Sequence, residues 1–377
     1  MTVAIAGVGM HPYGRFDDKS LTDLGAVAVR AALADAGFGS RHDFQAAFCG
    51  TAYGGVAAGH KVLGALGLTG GPIVDMEAGC ASGAAAMMLA AGAIEAGQYD
   101  TVLVFGIEKM PRGMIRSSFF DPWMEQAGLS PAPAYFALRA QRLMRKSGVS
   151  AADLAGVVVK NRRNGASNPY AMFQEEVEAH AVLESRLICE PLHLWMLCSP
   201  NEGAAAVVLS KPSARSTVRL RSSVLRSHLP GDILSEGTPM SGVVEDAAIP
   251  TPTESAAAAA YEAAGVGPGE IDLAEVQDTD AARELLAYEE LGFCERGGSA
   301  EWFRAGSSQP TGTLPVNTSG GLLSKGEPLG ASAIGHVVEL TWQLRGEAGP
   351  RQVQGARTAL AHNVGRGANA SVTILVR

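Results

Sequence analysis

The feature that most constrains the fold of this chain is that one order of segments occurs twice along it. Near the N-terminus, LTDLGAVAVRAALADAG has the apolar spacing of a helix closed by a glycine, and the short β-like run FQAAFCG follows. From residue 253, TESAAAAAYEAAGVGPGEIDLAEVQD repeats the helix, the Ala-Gly stop and the short strand. Self-similarity on this scale predicts two copies of one α/β unit, each with a sheet buried by helices.

Later segments extend the repeat. A helix, a glycine turn and a strand occur in CASGAAAMMLAAGAIEAGQYDTVLVFG and again in LGASAIGHVVELTWQLRGEAG followed by ARTALAHNVG. Each copy closes with a strand of small residues, NEGAAAVVLS in the first and GANASVTILVR in the second. We therefore predict an N-terminal half over residues 1–245 and a C-terminal half over residues 246–377. Residues of about 109–200 have no counterpart and are interpreted as an inserted loop or lid domain.

Composition agrees with two packed halves and excludes some partners. The 377 residues exceed what one core of up to ~300 residues usually holds. The apolar share of 47% and the charged share of 18% exclude a disordered chain. A net charge of -8 has the wrong sign for phosphate neutralisation, so we expect no nucleic-acid partner. The 46 glycines indicate that backbones approach each other closely.

The cysteines and the apolar stretches bear on the compartment. The five cysteines form no CxxC pair, and an odd count in a long chain suits reduced thiols, which favours a cytoplasmic protein. No metal site is legible, and GVGMHP is not a nucleotide fingerprint because Pro12 takes the place of the third glycine. The N-terminus lacks the basic start of a signal peptide, and the longest uncharged stretch is Ala/Gly-rich and short of ~20 strongly apolar residues. We expect no membrane partner.

Cys80 is the first candidate for chemistry. It opens an Ala-rich helix directly after an apolar strand and a glycine, in EAGCASGAAAMM. The partial positive charge at a helix N-terminus lowers a thiol pKa, and small neighbours leave room for a substrate. The alternative is a small buried thiol that packs under a helix, because free cysteines are commonly core residues.

The second copy adds further candidates at matching positions. Glu327 precedes the equivalent helix, so the two helix starts are expected to face one cleft. His362 lies at a strand end beside Gly365 and Gly367, whose flexible backbone N–H groups are suited to bind a ligand anion. The sequence therefore predicts a nucleophile, a base and anion-stabilising amides at the junction of the halves.

Taken together, several segments resemble the thiolase superfamily, in its branch of sterol-carrier-protein-type thiolases and bacterial lipid-transfer proteins. The resemblance runs nearly end to end. It rests on CASG, FGIEKM, KNRRNGASNPYAMF, CSPNEGAAAVVLS, VQDTDAARELL, VNTSGGLLSKGEPLGAS and HNVGRG, which occur in the order typical of the family.

The resemblance implies roles for some of these residues. Cys80 matches the nucleophile that takes an acyl group from a thioester, and His362 matches a position that supplies a second acid/base group. Asn317 with Gly320 and Gly321 matches a structural turn. The resemblance also implies the five-layered α-β-α-β-α thiolase fold and a homodimer. It implies no tightly bound cofactor and a coenzyme A thioester as substrate, with an acyl carrier as the alternative source of the acyl group.

Two positions depart from the family pattern. The usual Gly-His-Pro is Gly-Glu-Pro here, so Glu327 stands where a histidine normally activates the cysteine. A carboxylate raises the pKa of a neighbouring thiol and repels an enolate. Where thiolases have Asn-Glu-Ala-Phe or His-Asp-x-Phe, this chain has QDTD, in which Gln277 keeps an amide able to hold a water or a ligand.

Three functions therefore remain open. The leading hypothesis is a thiolase-like acyltransferase that makes or breaks a carbon–carbon bond through an acyl-Cys80 intermediate. The second is a retro-aldol lyase that acts on a CoA-linked, steroid-like side chain with a small zinc-ribbon and OB-fold partner, as the lipid-transfer-protein subgroup implies. The third is a non-catalytic acyl-CoA-binding scaffold subunit.

Weaker candidates lie outside this constellation. Lys160, Arg162 and Arg163 are candidates for pairing with CoA phosphates, although such charged runs are usually solvated faces. His60 is more simply a structural histidine than a partner of Cys80. Cys198 follows the Met- and Trp-rich segment LHLWML and is interpreted as a core residue.

Overall fold

The computed structural model describes residues 3–113, 132–213, 216–229, 249–365 and 369–377, together with Trp123 and Gln126. Its strands are β1 (Val3–Gly14), β2 (Ala46–Gly50), β3 (Ile73–Met76), β4 (Thr101–Lys109), β5 (Leu187–Cys189), β6 (Leu192–His193), β7 (Glu202–Ser210), β8 (Arg219–Ser227), β9 (Leu273–Val276), β10 (Thr358–Gly365) and β11 (Asn369–Val376). Its α-helices are α1 (Leu21–Asp35), α2 (Ala58–Ala65), α3 (Ser82–Glu95), α4 (Ala132–Ser147), α5 (Ala151–Ala166), α6 (Ala179–Glu184), α7 (Pro252–Ala264), α8 (Ala281–Glu290), α9 (Ser299–Arg304), α10 (Gly321–Lys325) and α11 (Leu329–Arg345).

The order of strands in the main sheet confirms the internal repeat. The order is β3-β2-β4-β7-β1-β8-β11-β10-β9. Counted outward from the β1–β8 contact, β1, β7, β4 and β2 of the first half correspond, in that order, to β8, β11, β10 and β9 of the second. The fifth place is taken by β3 in the first half and, in the second, by Val316, which makes a single bridge to Ala274. The predicted α/β fold of two pseudo-symmetric halves is therefore confirmed.

Alternating side chains on the strands distribute the core over two faces of the sheet. On β4, Leu103 and Phe105 pack with α1 and α2, whereas Val104 packs with α3 and α11. On β10, Leu360 packs with α7 and α8, whereas Ala361 joins the cluster that contains α3 and α11. Helices α3 and α11 contact each other and strands of both halves. The layers thus run α1/α2, first-half strands, α3/α11, second-half strands, α7/α8.

The first helix of each half begins in the same way. Ser20 caps α1 and Thr251 caps α7, each accepting from the backbone N–H three residues on, where an acidic side chain bonds back to the cap. This capping box satisfies two backbone donors that the helix itself leaves free. Both copies therefore carry the same local signal for the start of their first helix.

The described part of the inserted region contains helices α4, α5 and α6 and the β5–β6 hairpin. Helix α4 contacts α8, and α5 contacts α8 and α10, so the insertion packs on the C-terminal half. The boundary predicted between residues 245 and 246 lies outside the described residues. Because β8 pairs along its length with β11 and meets β1 only at its start, we propose a division ahead of Arg219.

Within the residues that the structure describes, none of the helices is long and apolar enough to cross a membrane.

Candidate active site

The loop that leads into α3 places Cys80 at the edge of the sheet. Gly79 has a φ of +59°, a conformation that glycine adopts without strain, and this turns the chain from β3 towards the helix. The Ser82 hydroxyl donates to the Gly79 carbonyl at 2.6 Å and accepts from the Ala78 N–H at 2.9 Å. Cys80 is held at this turn with only 6% of its surface exposed.

Glu327 lies in the matching loop before α11. Its backbone N–H donates to the Ser199 carbonyl at 2.8 Å, and its carbonyl accepts from the Asn201 N–H at 3.4 Å. The segment that precedes β7 and the segment that precedes α11 are thereby fixed to each other. Glu327 is 4% exposed, so its side chain lies in the interior.

Cys198 lies beside this carboxylate, a contact that its interpretation as a core residue did not include. Its Sγ donates to Glu327 Oε2 over 3.2 Å. Burial raises the pKa of the Cys198 thiol well above its ordinary value, and the charges of Glu327, Asp278 and Cys80 raise it further. A Cβ on Gly83 would come within 2.9 Å of the Gly330 carbonyl, so the start of α3, which follows Cys80, meets the start of α11, which follows Glu327.

The sequence carried a signal for Cys198 in its position. The residue precedes β7, whose start lies at the same sheet edge as the end of β4, since Glu202 pairs with Lys109. Loops at this edge also carry Cys80. The apolar composition of the preceding segment LHLWML favoured a core interpretation instead of a position at this sheet edge.

Gln277 orients the Glu327 carboxylate. The side-chain Oε1 of Gln277 accepts from the Val364 N–H, which is able only to donate, so the amide orientation is fixed. Its Nε2 therefore faces Glu327 and donates to Oε1 at 2.6 Å. Both oxygens of Glu327 are thus hydrogen-bond acceptors, one from an amide and one from a thiol.

His362 is directed to another side of the sheet. It shares a face of β10 with Leu360, and it alternates with Asn363 and Gly365. Its Nε2 lies 3.1 Å from Thr253 Oγ1 and 3.4 Å from an Arg283 nitrogen, on helices α7 and α8. Burial, followed by the charge of Arg283, lowers the pKa of His362 well below 6.5. This orientation lends no support to a direct role as the base for Cys80.

The predicted glycine pair is described in part. A Cβ on Gly365 would come within 2.1 Å of the Ala78 carbonyl and 3.2 Å of the Ala81 side chain, so this glycine lies against the Cys80 loop. Gly367 lies outside the described residues.

The basic residues of α5 occupy three different environments. Lys160 is 1% exposed and pairs with Glu284 at 2.7 Å, so both predictions for it, contact with CoA phosphates and a solvated face, are wrong. Arg162 lies over the Phe173 ring, 4.0 Å from its centroid, and burial lowers its pKa to about 10. Arg163 is exposed and 3.9 Å from Glu176.

Lys160 belongs to a buried network that holds the turn at Asn317. Asn317 has a φ of +56°, and its side chain donates to Glu284 at 2.7 Å and accepts from the Val276 N–H at 2.8 Å. Asn161 donates to Glu284 at 2.6 Å and to Asp278 at 2.8 Å. These residues position the segment that ends at Glu327, which fits the structural role that the family resemblance implied for Asn317.

Two further observations complete the site. His60 is exposed on α2. No group of three or more His, Cys, Asp or Glu side chains suited to a metal ion occurs in the ranges that the structure describes.

The architecture and the paired helix starts define a protein of the thiolase superfamily class, and comparison with known proteins agrees. The family model "Thiolase, N-terminal domain" matches residues 3–186, and "Thiolase C-terminal domain-like" matches residues 238–377. The chain belongs to the thiolase family.

Its curated relatives include transferases and carriers. It is 35% identical to the acetyl-CoA acetyltransferase of Methanothermobacter thermautotrophicus, over 100% of this chain and 99% of the relative. It is 35% identical to sterol carrier protein 2 of Oryctolagus cuniculus, over 99% of this chain and 71% of the relative. It is 32% identical to the benzoylsuccinyl-CoA thiolase subunit BbsB of Thauera aromatica, over 98% and 96%.

Two solved structures share this fold. The Ltp2-ChsH2(DUF35) aldolase has a TM-score of 0.86 at 24% identity and covers 100% of this chain and 97% of its own. A monomeric SCP2-thiolase-like protein from Mycobacterium smegmatis has a TM-score of 0.76 at 20% identity and covers 100% and 77%.

Proposed function

We propose that this chain is a thiolase-like acyltransferase in which Cys80 takes an acyl group from a coenzyme A thioester. The observation that carries the proposal is that the start of α3, beside Cys80, meets the start of α11, beside Glu327. A nucleophilic thiol needs a base within reach, and Glu327 is the carboxylate available there.

In the first step, Cys80 Sγ bonds to the thioester carbonyl carbon while its proton passes to Glu327. The bond between that carbon and the CoA sulfur then breaks, and the CoA sulfur leaves with the proton that Glu327 received. In the second step, Glu327 removes a proton from the carbon nucleophile, that carbon bonds to the acyl carbon, and the bond from the acyl carbon to Cys80 Sγ breaks as the proton returns to Cys80. Cleavage is the same sequence in reverse, with CoA as the final acceptor of the acyl group.

The turn after His362 is proposed to stabilise the developing oxyanion. The contact of Gly365 with the Cys80 loop supports this role, and backbone N–H groups at Gly365 and Gly367 are the donors we propose. His362 is retained as a positioning residue, because its imidazole faces Thr253 and Arg283.

A CoA thioester is the proposed substrate, with no tightly bound cofactor. Names of relatives such as acetyl-CoA acetyltransferase and benzoylsuccinyl-CoA thiolase support this class. Arg162 is held on Phe173 and Arg163 is exposed, so Arg163 is the one we propose to contact the CoA phosphates. Comparing the Kd for CoA in Arg163→Ala with that in the control Arg186→Ala tests this contact. A homodimer is also proposed, and light scattering in solution tests it.

A retro-aldol lyase is the second candidate, favoured by the same carboxylate. Glu327 as base would remove the proton of a β-hydroxyl group, and the carbon–carbon bond would break to give a carbonyl compound and the enolate of the CoA thioester. The enolate would take the proton back from Glu327, and no acyl-cysteine would form. The aldolase named above contains a DUF35 component, so the proposal includes a small partner subunit of that kind. The third candidate, a scaffold that binds acyl-CoA without chemistry, predicts neither reaction.

Intact-protein mass spectrometry after incubation with acetyl-CoA separates the candidates. An acyltransferase should gain about 42 Da, the mass of an acetyl group in place of a proton, because nucleophilic catalysis leaves the acyl group on the enzyme. Peptide mapping should place the group on Cys80, and Cys80→Ser should lose it. Cys189→Ser, a half-buried cysteine on β5, is the matched control. No adduct on the unaltered chain, or an adduct that survives in Cys80→Ser, overturns the proposal.

A further inference from the structure

We infer that Arg162 binds a carboxylate group, carried either by the acyl part of a thioester or by a free organic acid. The inference goes beyond the proposed function, because it concerns binding and needs no reaction of Cys80. It rests on one cation of α5 and on the side chains that surround it.

The guanidinium of Arg162 is buried without an acidic partner. Arg162 is 8% exposed, and its Nε is enclosed without a hydrogen-bond partner. Among the described residues its terminal nitrogens form no ion pair, whereas Lys160 and Arg163 on the same helix lie 2.7 Å from Glu284 and 3.9 Å from Glu176. A buried charge is costly unless it is paired. The unpaired guanidinium is therefore suited to an anionic ligand.

The ring of Phe173 holds this guanidinium in place. Arg162 Cζ lies 4.0 Å from the ring centroid. The backbone of Phe173 is itself fixed, because its N–H donates to the Ser324 carbonyl at 3.0 Å and its carbonyl accepts from the Ser324 hydroxyl at 2.6 Å. A ring face attracts a cation and leaves the N–H groups along the guanidinium edge available to a ligand.

The guanidinium adjoins the segment that leads to Glu327. Ser324 lies on α10, three residues before Glu327. Met172, which precedes the aromatic ring in sequence, contacts Asn201, with 3.6 Å between Sδ and the side-chain Nδ2. The Asn201 N–H in turn donates to the Glu327 carbonyl. A ligand on this guanidinium would therefore lie beside elements that also hold the candidate active site.

Two features favour a carboxylate over a phosphate. A carboxylate binds the edge of a guanidinium in its plane, through two parallel hydrogen bonds. A tetrahedral phosphate extends out of that plane, and Phe173 covers one face of Arg162. Glu175, whose charge acts on Arg162 against the effect of burial on its pKa, and Glu176 are exposed on the loop that carries the ring. These charges repel a phosphate dianion more strongly than a carboxylate.

An unpaired buried cation should also make the ligand-free chain less stable. Arg162→Met keeps a long side chain on the Phe173 ring and removes the charge, so we expect its urea midpoint to exceed that of the parent chain. Arg186→Ala, at an exposed arginine, is the control and should keep the parent midpoint. A midpoint of Arg162→Met at or below that of the parent would assign the cation a structural role and overturn the inference.

Isothermal titration calorimetry in the Cys80→Ser background measures binding without acyl transfer. The ligands are succinyl-CoA and butyryl-CoA, which differ by a carboxylate in place of a methyl group, together with free succinate and inorganic phosphate. We expect Arg162→Met to weaken the binding of a carboxylate ligand about 10- to 100-fold, the range for a hydrogen bond to a charged group, and to leave butyryl-CoA unchanged. Arg162→Lys should recover little of this affinity, because lysine lacks the planar fork. Arg186→Ala should keep every Kd.

The two sources of the carboxylate give different results. A loss for succinyl-CoA places the group on the acyl chain, and a loss for succinate alone points to a free acid. Parent-like Kd values of Arg162→Met for both carboxylate ligands overturn the inference, and so does a dependence on Arg162 for phosphate alone. Failure of the proposed function is measured separately, as the absence of an acetyl adduct on the chain in which Cys80 is intact.

Discussion

The carboxylate of Glu108 accepts a hydrogen bond of 3.1 Å from the backbone N–H of Gly330, although the two residues belong to different halves. Glu108 lies at the end of β4, and Gly330 lies in the first turn of α11. The same carboxylate accepts from the N–H groups of Ala52 and Tyr53, both at 2.9 Å. A side chain of the first half thus caps the helix that follows Glu327, where a negative charge complements the helix dipole.

Glu108→Gln should lower the free energy of unfolding by about 1–3 kcal/mol. The amide replaces one acceptor oxygen by a donor that faces backbone N–H groups, so at least one buried donor is left unpaired. Urea unfolding measures the difference. Glu262→Gln, at an exposed position of α7, is the control and should unfold like the parent chain. Equal midpoints for Glu108→Gln and the control would contradict a capping role.

Cys80 should react first with iodoacetamide in the folded protein. Burial raises the pKa of Cys49 and Cys198 well above the ordinary value and that of Cys294 to about 12. The helix start at Cys80 acts in the opposite direction. Peptide mapping after brief labelling at pH 7.5 identifies the labelled cysteine. Faster labelling of any other cysteine would remove the basis for Cys80 as nucleophile.

Glu327→Gln should increase the labelling rate of Cys198 at pH 8. The charge of Glu327 is the second cause of the raised Cys198 pKa, after burial, and the substitution removes that charge. Burial persists, so we expect a severalfold rise rather than the rate of an exposed thiol. Cys294, whose pKa is raised by burial and Glu289, serves as the internal control. An unchanged Cys198 rate would mean that Glu327 does not act on this thiol.

Lys160→Met should destabilise the fold by about 3–5 kcal/mol, because it leaves Glu284 as a buried carboxylate without its cation. Arg163→Met on the same helix is the matched control, since Arg163 is exposed and 3.9 Å from its acidic partner. Thermal unfolding of the two variants makes the comparison. A smaller loss in Lys160→Met than in Arg163→Met would contradict a structural role for Lys160.

Two buried histidines should make the protein less stable in mild acid. Burial and the charge of Lys325 lower the pKa of His336 to about 3, and burial with Arg283 lowers that of His362. Below pH 6.5 the unfolded chain therefore binds protons that the folded chain does not. The free energy of unfolding then falls as the pH falls, by about 1.4 kcal/mol per pH unit for each histidine.

Urea unfolding between pH 4.5 and 7.5 measures this slope. His336→Gln should flatten it by about one proton, whatever its effect at pH 7.5, whereas His60→Gln on the exposed face of α2 should leave it unchanged. An unaltered slope in His336→Gln would show that this histidine is not the group responsible.

The repeat was predictable because each copy carries its own local signals. The capping residues Ser20 and Thr251, the glycines that end the helices, and the small residues of β7 and β11 all act over a few positions. The placement of Cys80 and Glu327 before α3 and α11 followed from the same reasoning. Because local sequence determines where a helix starts, these positions are predictable without knowledge of the tertiary structure.

The partners of these residues were not predictable in the same way. Cys198 meets Glu327 across 129 positions of sequence, and its apolar neighbours favour a core interpretation. Lys160 was assigned to the surface because its buried partner, Glu284, lies far along the chain. His362 has the right type of side chain, but strand alternation turns it to the opposite face from Gly365, and one position decides which face a residue takes.

The contact between α11 and the first-half sheet limits how the two halves are able to move. A Cβ on Gly106 would lie 2.1 Å from the Gly330 carbonyl, and one on Gly330 would lie 2.5 Å from the Gly50 carbonyl, so backbone rests on backbone. A hinge between the halves would have to separate these surfaces and break the bond from Gly330 to Glu108. Under the proposed function, selection among substrates therefore falls to the loops and side chains around a rigid frame, and a change in acyl preference is to be sought there rather than in the closure of one half on the other.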